Sequence, residues 1–294
     1  MKMIKIIFLF SVCFMAFCAP AFAGDIVIYG DSQIYDDDQA AEIAQRSVVQ
    51  AILEKRPSIV FRVGDIVHDG HDPHQWEVFN SIAAGLLKTT EYYPCLGNHE
   101  GDSSLYFDNF KNINRQHWYS VDRQGIRFIV LDSNSPLGDN SPQYTWLEAQ
   151  LAQIPSGIEF IIALFHHPMF NVGGHGEDEQ GLKPYLVPLF EKYGVGAVFS
   201  GHDHNYQRVL YNGIEYVVAG GGGSHLYDPT RTSPYLQKFS KSYHFCLLSR
   251  GQDSLKVEVF SVRPEDAASS LIDEFTIPSI SKVKSSRSAE ALFP

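Results

Sequence analysis

The sequence predicts an α/β fold in which buried strands alternate with amphipathic helices. Short apolar runs bounded by Gly, Asp or Asn recur through the first two thirds of the chain. Several are separated by segments whose apolar residues recur every three to four positions, as on one face of a helix. Polar side chains cluster directly after the apolar runs. This alternation is typical of βαβ units built around a parallel sheet.

The elements follow one another in a regular order. Strands are predicted at 26–29, 59–63, 92–96, 126–131, 160–165 and 197–200, and helices at 40–53, 74–87, 143–151 and 182–193. From residue 206 the pattern changes to strand-like pieces at 207–211, 214–219, 243–248, 257–262 and 271–277, with Asn212-Gly213 as a hairpin turn. Taken by themselves, these later pieces predict a second, mostly antiparallel sheet.

The amino terminus has the features of a secretory signal peptide, residues 1–23. Lys2 and Lys5 precede an apolar run, and Ala21-Phe22-Ala23 follows it. The run of about 13 residues is short of the roughly 20 that a membrane-spanning helix needs. Phe17 stands where a lipoprotein anchor on Cys18 would want a small residue. We therefore predict cleavage after Ala23, export to a periplasm or the medium, and no membrane span in the mature chain.

The mature chain is predicted to form one catalytic domain, residues 24–278, followed by a flexible, Ser-rich tail, 279–294. Without Lys2 and Lys5 the chain keeps 21 of its 23 basic side chains against 34 acidic ones, a net charge of −13. Such a surface repels phosphate backbones, which disfavours a nucleic-acid scaffold role. Cys95 and Cys246 lie in apolar strand-like segments and are expected to be buried free thiols.

The polar side chains that follow five of the predicted strands form a candidate metal site. Loops that leave the carboxyl ends of strands in an open α/β sheet converge on one place. The side chains are Asp31, Asp65, Asn98 with His99, His166, and His202 with His204. Carboxylates, imidazoles and an amide suit zinc, iron or manganese. Two ions roughly 3.5–4 Å apart, bridged by one carboxylate, would favour hydrolysis of a phosphate ester.

The ordered motifs that carry these residues resemble those of the calcineurin-like metallophosphoesterases. They are Gly30-Asp31-Ser32-Gln33, Gly64-Asp65-Ile66-Val67-His68-Asp69-Gly70, Gly97-Asn98-His99-Glu100, His166-His167-Pro168 and Gly201-His202-Asp203-His204. The stretch from His166 through Asn171 and His175, together with the run 198–208, is similar to the purple acid phosphatases. The resemblance covers roughly residues 25–208. It implies a four-layer α/β/β/α sandwich of two mixed sheets flanked by helices.

The resemblance also implies roles for the site residues. Asp65 would bridge two metal ions, with Asp31 and His204 on one ion and Asn98, His166 and His202 on the other. A hydroxide held by the metals would attack phosphorus in line. His99 and His175 would contact the phosphate and protonate the leaving alcohol. The implied activity is that of an acid phosphatase acting on small phosphate monoesters.

Two positions depart from the family pattern. Purple acid phosphatases have a tyrosine three residues after the bridging aspartate, where it binds ferric iron; His68 stands there, so we expect no purple colour. The wider superfamily often begins with Asp-x-His, where this chain has Asp31-Ser32-Gln33. Either His68 or Gln33 completes the first metal's ligands, and His68 is favoured because imidazole is the better donor. The metal stays open among iron, zinc and manganese.

Two other functions stay open at the level of sequence. A phosphodiesterase or nucleotidase could use the same metal pair, because the pocket rim decides between esters. A non-catalytic phosphate-binding surface protein would be expected to have damaged ligand positions, whereas all six core ligands are present. His167 is expected to pack beside the ligands rather than to coordinate. Nothing in the sequence indicates the oligomeric state.

Overall fold

The computed structural model describes residues 24–35, 38–251 and 254–283, so the predicted signal peptide lies outside the described residues. Its helices are α1 (Gln39–Lys55), α2 (Pro73–Thr89), α3 (Ser104–Asn109), α4 (Pro142–Ala152) and α5 (Lys183–Tyr193). Its strands are β1 (Ile26–Tyr29), β2 (Ile59–Arg62), β3 (Glu91–Pro94), β4 (Tyr119–Arg123), β5 (Ile126–Val130), β6 (Phe160–Leu164), β7 (Ala197–Ser200), β8 (Tyr206–Tyr211), β9 (Ile214–Ala219), β10 (Leu236–Ser240), β11 (Tyr243–Arg250), β12 (Leu255–Val262) and β13 (Ser269–Ile277).

The strands form two mixed sheets. The first has the order β13-β12-β11-β1-β2-β3 and the second β10-β8-β9-β7-β6-β5-β4. Strands β1, β2 and β3 run parallel, as do β5, β6, β7 and β9. The predicted sandwich of two mixed sheets with flanking helices is therefore confirmed. The parallel strands, three in the first sheet and four in the second, therefore provide carboxyl ends from both sheets.

The prediction of a separate antiparallel sheet after residue 206 is wrong. Strands β8 to β10 extend the second sheet, and β11 to β13 extend the first. The physical reason lies in β1 and β7, which would otherwise leave a row of unpaired backbone groups along one side. Strand β11 pairs antiparallel with β1, and β9 pairs parallel with β7. An alternating pattern predicts a strand but does not identify its neighbour.

The two sheets pack face to face over an apolar core. The rings of Phe61 on β2 and Phe128 on β5 lie 4.2 Å apart between the sheets. On the outer face of the second sheet, Leu147 of α4 and Phe190 of α5 are buried in one cluster with Ile161 of β6. Burying such side chains contributes roughly 1.5–3 kcal/mol each. This packing fixes the relative positions of the strand ends.

Local sequence signals account for many element boundaries. The Asp38 side chain accepts a hydrogen bond from the Ala41 N–H at 3.0 Å and so caps α1, as expected of an acidic run before a helix. The hairpin at Asn212 and Gly213 is confirmed, because both have positive φ, 48° and 75°. Cys95 and Cys246 are buried free thiols, as predicted.

Three elements have no clear sequence signal. Helix α3 has six residues, too few for a helical period to be recognised, and the exposed edge strand β10 lacks alternation. Strand β4 was not predicted either. At the start of the predicted tail, Ile280 N donates to Glu159 O at 2.9 Å and Val283 is buried. Residues 284–294 lie outside the described part, and a flexible tail stays a prediction there.

None of the helices in the described part of the chain is long and apolar enough to cross a membrane.

His244 on β11 makes folding stability depend on pH. Burial lowers its pKa to about 4, although Ser242 O accepts from Nδ1 at 2.9 Å. An unfolded histidine titrates near 6.5, so between these values only the unfolded chain takes up the proton. The contribution of His244 to the free energy of unfolding is therefore fully present above pH 6.5 and is lost as the pH falls toward 4.

Between pH 7 and pH 5 the free energy of unfolding should fall less in His244→Gln than in the parent chain. We expect the difference to be about 2 kcal/mol, at about 1.4 kcal/mol per pH unit. Urea unfolding of metal-stripped protein at both pH values measures this loss. The exposed His74 provides the control, His74→Gln, which should match the parent. Equal pH dependence of the parent and His244→Gln would contradict the prediction.

Candidate functional site

Three candidate ligands lie at strand ends with an unusual backbone conformation. Asp31, Asp65 and His202 have positive φ values of 59°, 47° and 70°. Side-chain-bearing residues adopt this left-handed region at a cost of roughly 1–3 kcal/mol, and they concentrate at functional sites. The turns are bonded to one another: Asp31 N donates to Gly64 O at 3.1 Å, and His202 N donates to Asp31 Oδ1 at 2.7 Å. The second bond joins the two sheets.

Two glycines let the ligands approach the backbone. Gly64 has φ +94°, and a Cβ built on it would lie 2.5 Å from His166 Nδ1. A Cβ on Gly97 would lie 2.1 Å from Asp65 Oδ1. Real Cβ atoms do not approach so closely, so each position requires glycine. The glycines of the sequence motifs thus make room for the carboxylate and imidazole.

The buried carboxylate of Glu100 holds the turn that carries Asp65. It accepts four backbone hydrogen bonds, from Asp65 N at 3.0 Å, Ile66 N at 2.6 Å, Val67 N at 3.2 Å and Gly97 N at 2.8 Å. Charge-assisted bonds of this kind are about twice as strong as neutral ones. Glu100 therefore fixes the motifs of two neighbouring strands to each other.

The first cluster of candidate ligands consists of Asp31, Asp65 and His204, whose ligand atoms lie within 4.8 Å of one another. His204 Nδ1 lies 2.7 Å from His225 O. A carbonyl can only accept, so Nδ1 carries the proton and Nε2 keeps its lone pair, 3.8 Å from Asp31 Oδ1. Burial lowers the pKa of His204 to about 4 and favours this neutral form. Neutral imidazole is the form that binds metals.

Gln33 lies beside this first cluster. Gln33 Nε2 lies 3.1 Å from His204 Nε2 and 3.4 Å from Asp65 Oδ2, while its buried Oε1 has no hydrogen-bond partner among the described residues. Exchanging the two amide atoms by a half-turn would direct Oε1 at the cluster. The His68 ring instead contacts Tyr35 at 4.0 Å and His99 at 4.8 Å. Gln33 therefore lies where it could complete the first set of ligands, and the preference for His68 stays a prediction.

The second cluster brings together Asn98, His166 and His202. His166 Nδ1 donates to Val63 O at 2.8 Å, and His202 Nε2 lies 3.2 Å from Glu179 Oε2. The opposite nitrogens, His166 Nε2 and His202 Nδ1, lie 2.9 and 3.1 Å from Asn98 Oδ1. With those outer bonds made, and with His166 in its neutral form, three atoms with lone pairs face one another. Such convergence suits a cation at their centre.

His167 adjoins the second cluster. A ligand atom of His167 lies within 4.8 Å of those of His166 and His202, although coordination was not expected of it. Its Nδ1 lies 2.8 Å from Ser133 Oγ, and its ring centroid lies 4.5 Å from that of His202. Burial and the charge of His166 lower its pKa to about 2, so the ring is neutral. Its contact with the His202 ring restrains that ligand's orientation.

Asp65 lies between the clusters, and its charge affects the pKa values of its neighbours. Burial would lower the pKa of His166, but the charges of Asp65 and Asp31 raise it to about 10. Burial would raise the pKa of Asp65, but His166, 3.2 Å away, holds it below its ordinary value. Burial raises the pKa of Asp31 well above its usual range, and Asp65 adds to this. Asp31 Oδ2 is buried without a hydrogen-bond partner in the described part of the chain.

These observations fit metal ions. The donors are oxygen and nitrogen atoms, most of them on buried side chains, that together suit zinc, iron or manganese. Two of the oxygens, Asp31 Oδ2 and Gln33 Oε1, lack partners among the described residues. A buried acceptor without a partner costs roughly 1–3 kcal/mol, which a bound cation would remove. The sites for two ions therefore have the right donors.

His99 and His175 are more accessible than the candidate histidine ligands. Their side chains are 23% and 34% exposed, whereas that of His166 is fully buried. His99 Nδ1 donates to His68 O at 2.7 Å, and Nε2 lies 3.8 Å from Asp65 Oδ2. The His175 ring stacks on His202 with centroids 3.9 Å apart. Both rings can therefore reach a molecule bound at the clusters.

A family model described as calcineurin-like phosphoesterase matches residues 22–206, more than half of the chain. The chain belongs to this family. The family expected from the motifs is therefore confirmed, and it is one of metal-dependent phosphoric ester hydrolases.

The calcineurin-like phosphoesterase relatives are named mostly as purple acid phosphatases, which confirms the expected branch. The chain is 27% identical to the "Probable inactive purple acid phosphatase 27" of Arabidopsis thaliana, over 68% of this chain and 41% of that protein. It is 26% identical to a "Nucleotide pyrophosphatase/phosphodiesterase" of Hordeum vulgare, over 71% of each. The chain thus spans well under half of the Arabidopsis protein.

A solved structure of a purple acid phosphatase from yellow lupin seeds superposes on this calcineurin-like fold with a TM-score of 0.72. It is 22% identical, and the alignment covers 86% of this chain and 53% of that one. At this identity the likeness shows the fold alone.

Several side chains that shape the site were not assigned from sequence. Glu100 stands in the Gly-Asn-His-Glu motif, and that position is the signal that could have identified it. Glu179, which lies against His202, and Arg231, which contacts the His175 loop, occur in segments without any recognisable pattern. Their roles depend on contacts between distant parts of the chain.

We expect Glu100→Gln to lower the free energy of unfolding by roughly 2–4 kcal/mol, because an amide offers one acceptor atom to four N–H donors. The variant should also retain less metal, since the Asp65 turn loses its support. Urea unfolding and metal analysis measure the two effects. Glu42→Gln, which alters a surface pair with Arg46, serves as the control. Unchanged stability in Glu100→Gln would show that the four bonds do not hold the turn.

Proposed function

We propose that the chain is an exported phosphomonoesterase of acid-phosphatase type that uses two metal ions. The observation that carries the proposal is the convergence of lone-pair atoms in two clusters on either side of Asp65. Asp31 and His204 lie on one side, and Asn98 and His166 lie on the other. A single buried carboxylate shared by two clusters is what a bridging ligand requires.

The proposed ligand assignment follows the clusters. Asp31, Asp65 and His204 would hold the first ion, and Asp65, Asn98, His166 and His202 the second. Gln33 takes the additional position at the first ion, in preference to His68, because its amide lies beside His204 and Asp65. Iron, zinc and manganese all suit these donors. When bound, such a pair lowers the pKa of a shared water and stabilises charge on phosphoryl oxygens.

The proposed roles of the two accessible histidines follow from their protons. His99 must carry a proton on Nδ1, because that atom faces the His68 carbonyl. When Nε2 is protonated as well, it can donate to a phosphate oxygen near Asp65. His175 is proposed to give a proton to the leaving alcohol, since an imidazole is suited to exchange protons near neutral pH. A cation bound at the second cluster would replace the second ring proton of His166, which the imidazolium would release.

The proposed substrate is a small phosphate ester in an exported setting. The signal peptide predicted at 1–23 supports export, and the excess of acidic over basic side chains argues against nucleic-acid scaffolds. A small ester carries little negative charge, and the ions supply the positive charge that the surface lacks.

Phosphodiester hydrolysis is the second candidate. The observation in its favour is the Hordeum vulgare relative, named a nucleotide pyrophosphatase/phosphodiesterase, which aligns with this chain over 71% of its length. The same metal ligands serve both reactions, so the discrimination lies in residues around the leaving group.

Metal binding should follow the two clusters. We expect the chelator-stripped protein to bind two Zn²⁺ ions per chain, and His204→Ala or His202→Ala to bind one, because each removes a donor of one cluster. Equilibrium dialysis with metal analysis gives the stoichiometry. His74→Ala, a change at an exposed histidine on α2, should still bind two. Two ions in all variants would contradict the ligand assignment.

Activity is tested with a nitrophenyl phosphomonoester and its bis-ester. We expect monoester turnover to exceed diester turnover, to stop with chelator and to return on adding zinc, manganese or iron. Asp65→Asn should lower kcat by about 10²–10³-fold or more, since the bridging carboxylate would hold the two ions that stabilise charge in the transition state. Asp69→Asn, at an exposed nearby position, is the matched control. Faster diester turnover would favour the second candidate, and absence of turnover with bound metal would favour a non-catalytic phosphate-binding protein.

A further inference from the structure

Residues 225–231, which we call the site strap, cross the candidate site between β9 and β10. At one end the strap is fixed to His204. His225 O accepts from His204 Nδ1 at 2.7 Å, and Tyr227 N donates to His204 O at 2.9 Å. The Tyr227 and His204 rings stack with centroids 4.3 Å apart and an interplanar angle of 16°. The strap therefore begins on a candidate metal ligand.

The other end of the strap is bonded to the loop that carries His175, residues 171–176. Thr230 N and Arg231 N donate to Val172 O at 2.8 and 3.3 Å. The Arg231 guanidinium contributes Nη1, which donates to Gly173 O at 3.0 Å and to His175 O, with a longer contact of 3.5 Å to Asn171 O. The Arg231 guanidinium thus donates to carbonyls on both sides of the turn.

The loop needs such bonds because its own sequence does not define its conformation. Three of its six residues are glycines, which lose more conformational freedom on ordering than any other residue. Its amides are held on one side by the buried Asp203, which accepts from Gly174 N and His175 N at 3.0 Å each. Its carbonyls are held by Arg231, with Thr230 Oγ1 also donating to Gly173 O and Asn171 Nδ2 to His175 O at 3.0 Å. Asp203 and Arg231 together satisfy opposite polar groups of the same turn.

We propose that Arg231 is a positioning residue that holds His175 over His202, an inference that rests on the proposed role of His175 as proton donor. Arginine suits this task, because its planar fork offers several fixed donors and keeps its charge at every relevant pH. No ion pair involves Arg231 within the part of the chain that the structure describes, so its charge is directed at the carbonyls. Releasing the loop would separate His175 from the leaving group, and small misplacements of catalytic groups cost about 10²-fold.

The kinetic test compares Arg231→Ala and Arg231→Lys with His175→Ala in the metal-loaded protein. We expect Arg231→Ala to lower kcat by about 10–100-fold with KM changed less than about 3-fold, and to slow alkyl phosphates more than nitrophenyl phosphate, because poor leaving groups depend most on a proton donor. Arg231→Lys should recover part of the loss. The double variant with His175→Ala should be no slower than His175→Ala alone. Arg115→Ala, at an exposed arginine, is the matched control.

Hydrogen exchange provides a readout that does not depend on activity. Arg231→Ala should accelerate amide exchange in the peptide covering 171–176 while leaving metal content and the midpoint of thermal unfolding unchanged. If exchange is not faster, or if the kinetic losses of Arg231→Ala and His175→Ala are additive, the positioning proposal is overturned. If His175→Ala keeps the parent's leaving-group dependence, the proton-donor role fails, and exchange alone then decides whether Arg231 holds the loop.

Discussion

The structure depends on one electrostatic constraint, the placement of two carboxylates, Asp31 and Asp65, in the interior at the ends of adjacent parallel strands. Buried like charges destabilise a fold unless cations balance them. In the chain itself the balance comes from the His166 imidazolium, whose proton a metal ion can replace. The left-handed turns at Asp31 and Asp65 and the glycines at 64 and 97 all serve to bring these groups together. The strained turns thus hold together buried charges that only a cation stabilises.

Backbone carbonyls orient most of the histidines of the site. His99, His166 and His204 each direct Nδ1 at a backbone carbonyl, at 2.7–2.8 Å. A carbonyl cannot donate, so it fixes both the tautomer and the ring, and it leaves Nε2 available to a ligand. His202 is the exception, since Glu179 lies against its Nε2 and leaves Nδ1 inward. A site arranged in this way does not need to reorganise when it is filled, which favours tight and specific coordination.

The sequence alone was enough to predict the strand ends and the family motifs, because both depend on residues close together in the chain. Asp31 and His166 follow buried apolar runs, and such runs are recognised by composition and length. The choice between Gln33 and His68 could not be made in this way. It depends on where the His68 ring lies relative to Tyr35 and His99, which is decided by packing. The neighbours of β9 and β11 escaped prediction for the same reason, since periodicity indicates burial but not the partner.

The two proposed tasks of the site, metal binding and substrate contact, fall to side chains that differ in burial. The two carboxylates, His166 and His204 are buried, which strengthens their electrostatics, whereas His99 and His175 remain partly exposed and so can meet a substrate. Of these two, His175 lies on the irregular segment 171–176, which is bonded to the site strap, and the strap also contacts the candidate ligand His204. A change in either segment therefore alters the surroundings of the leaving group while the sheets hold the ligands in place. Under the proposed function, selection between monoesters and diesters depends on these loops, where the pattern of residues is least informative and the contacts of single side chains such as Arg231 decide the geometry.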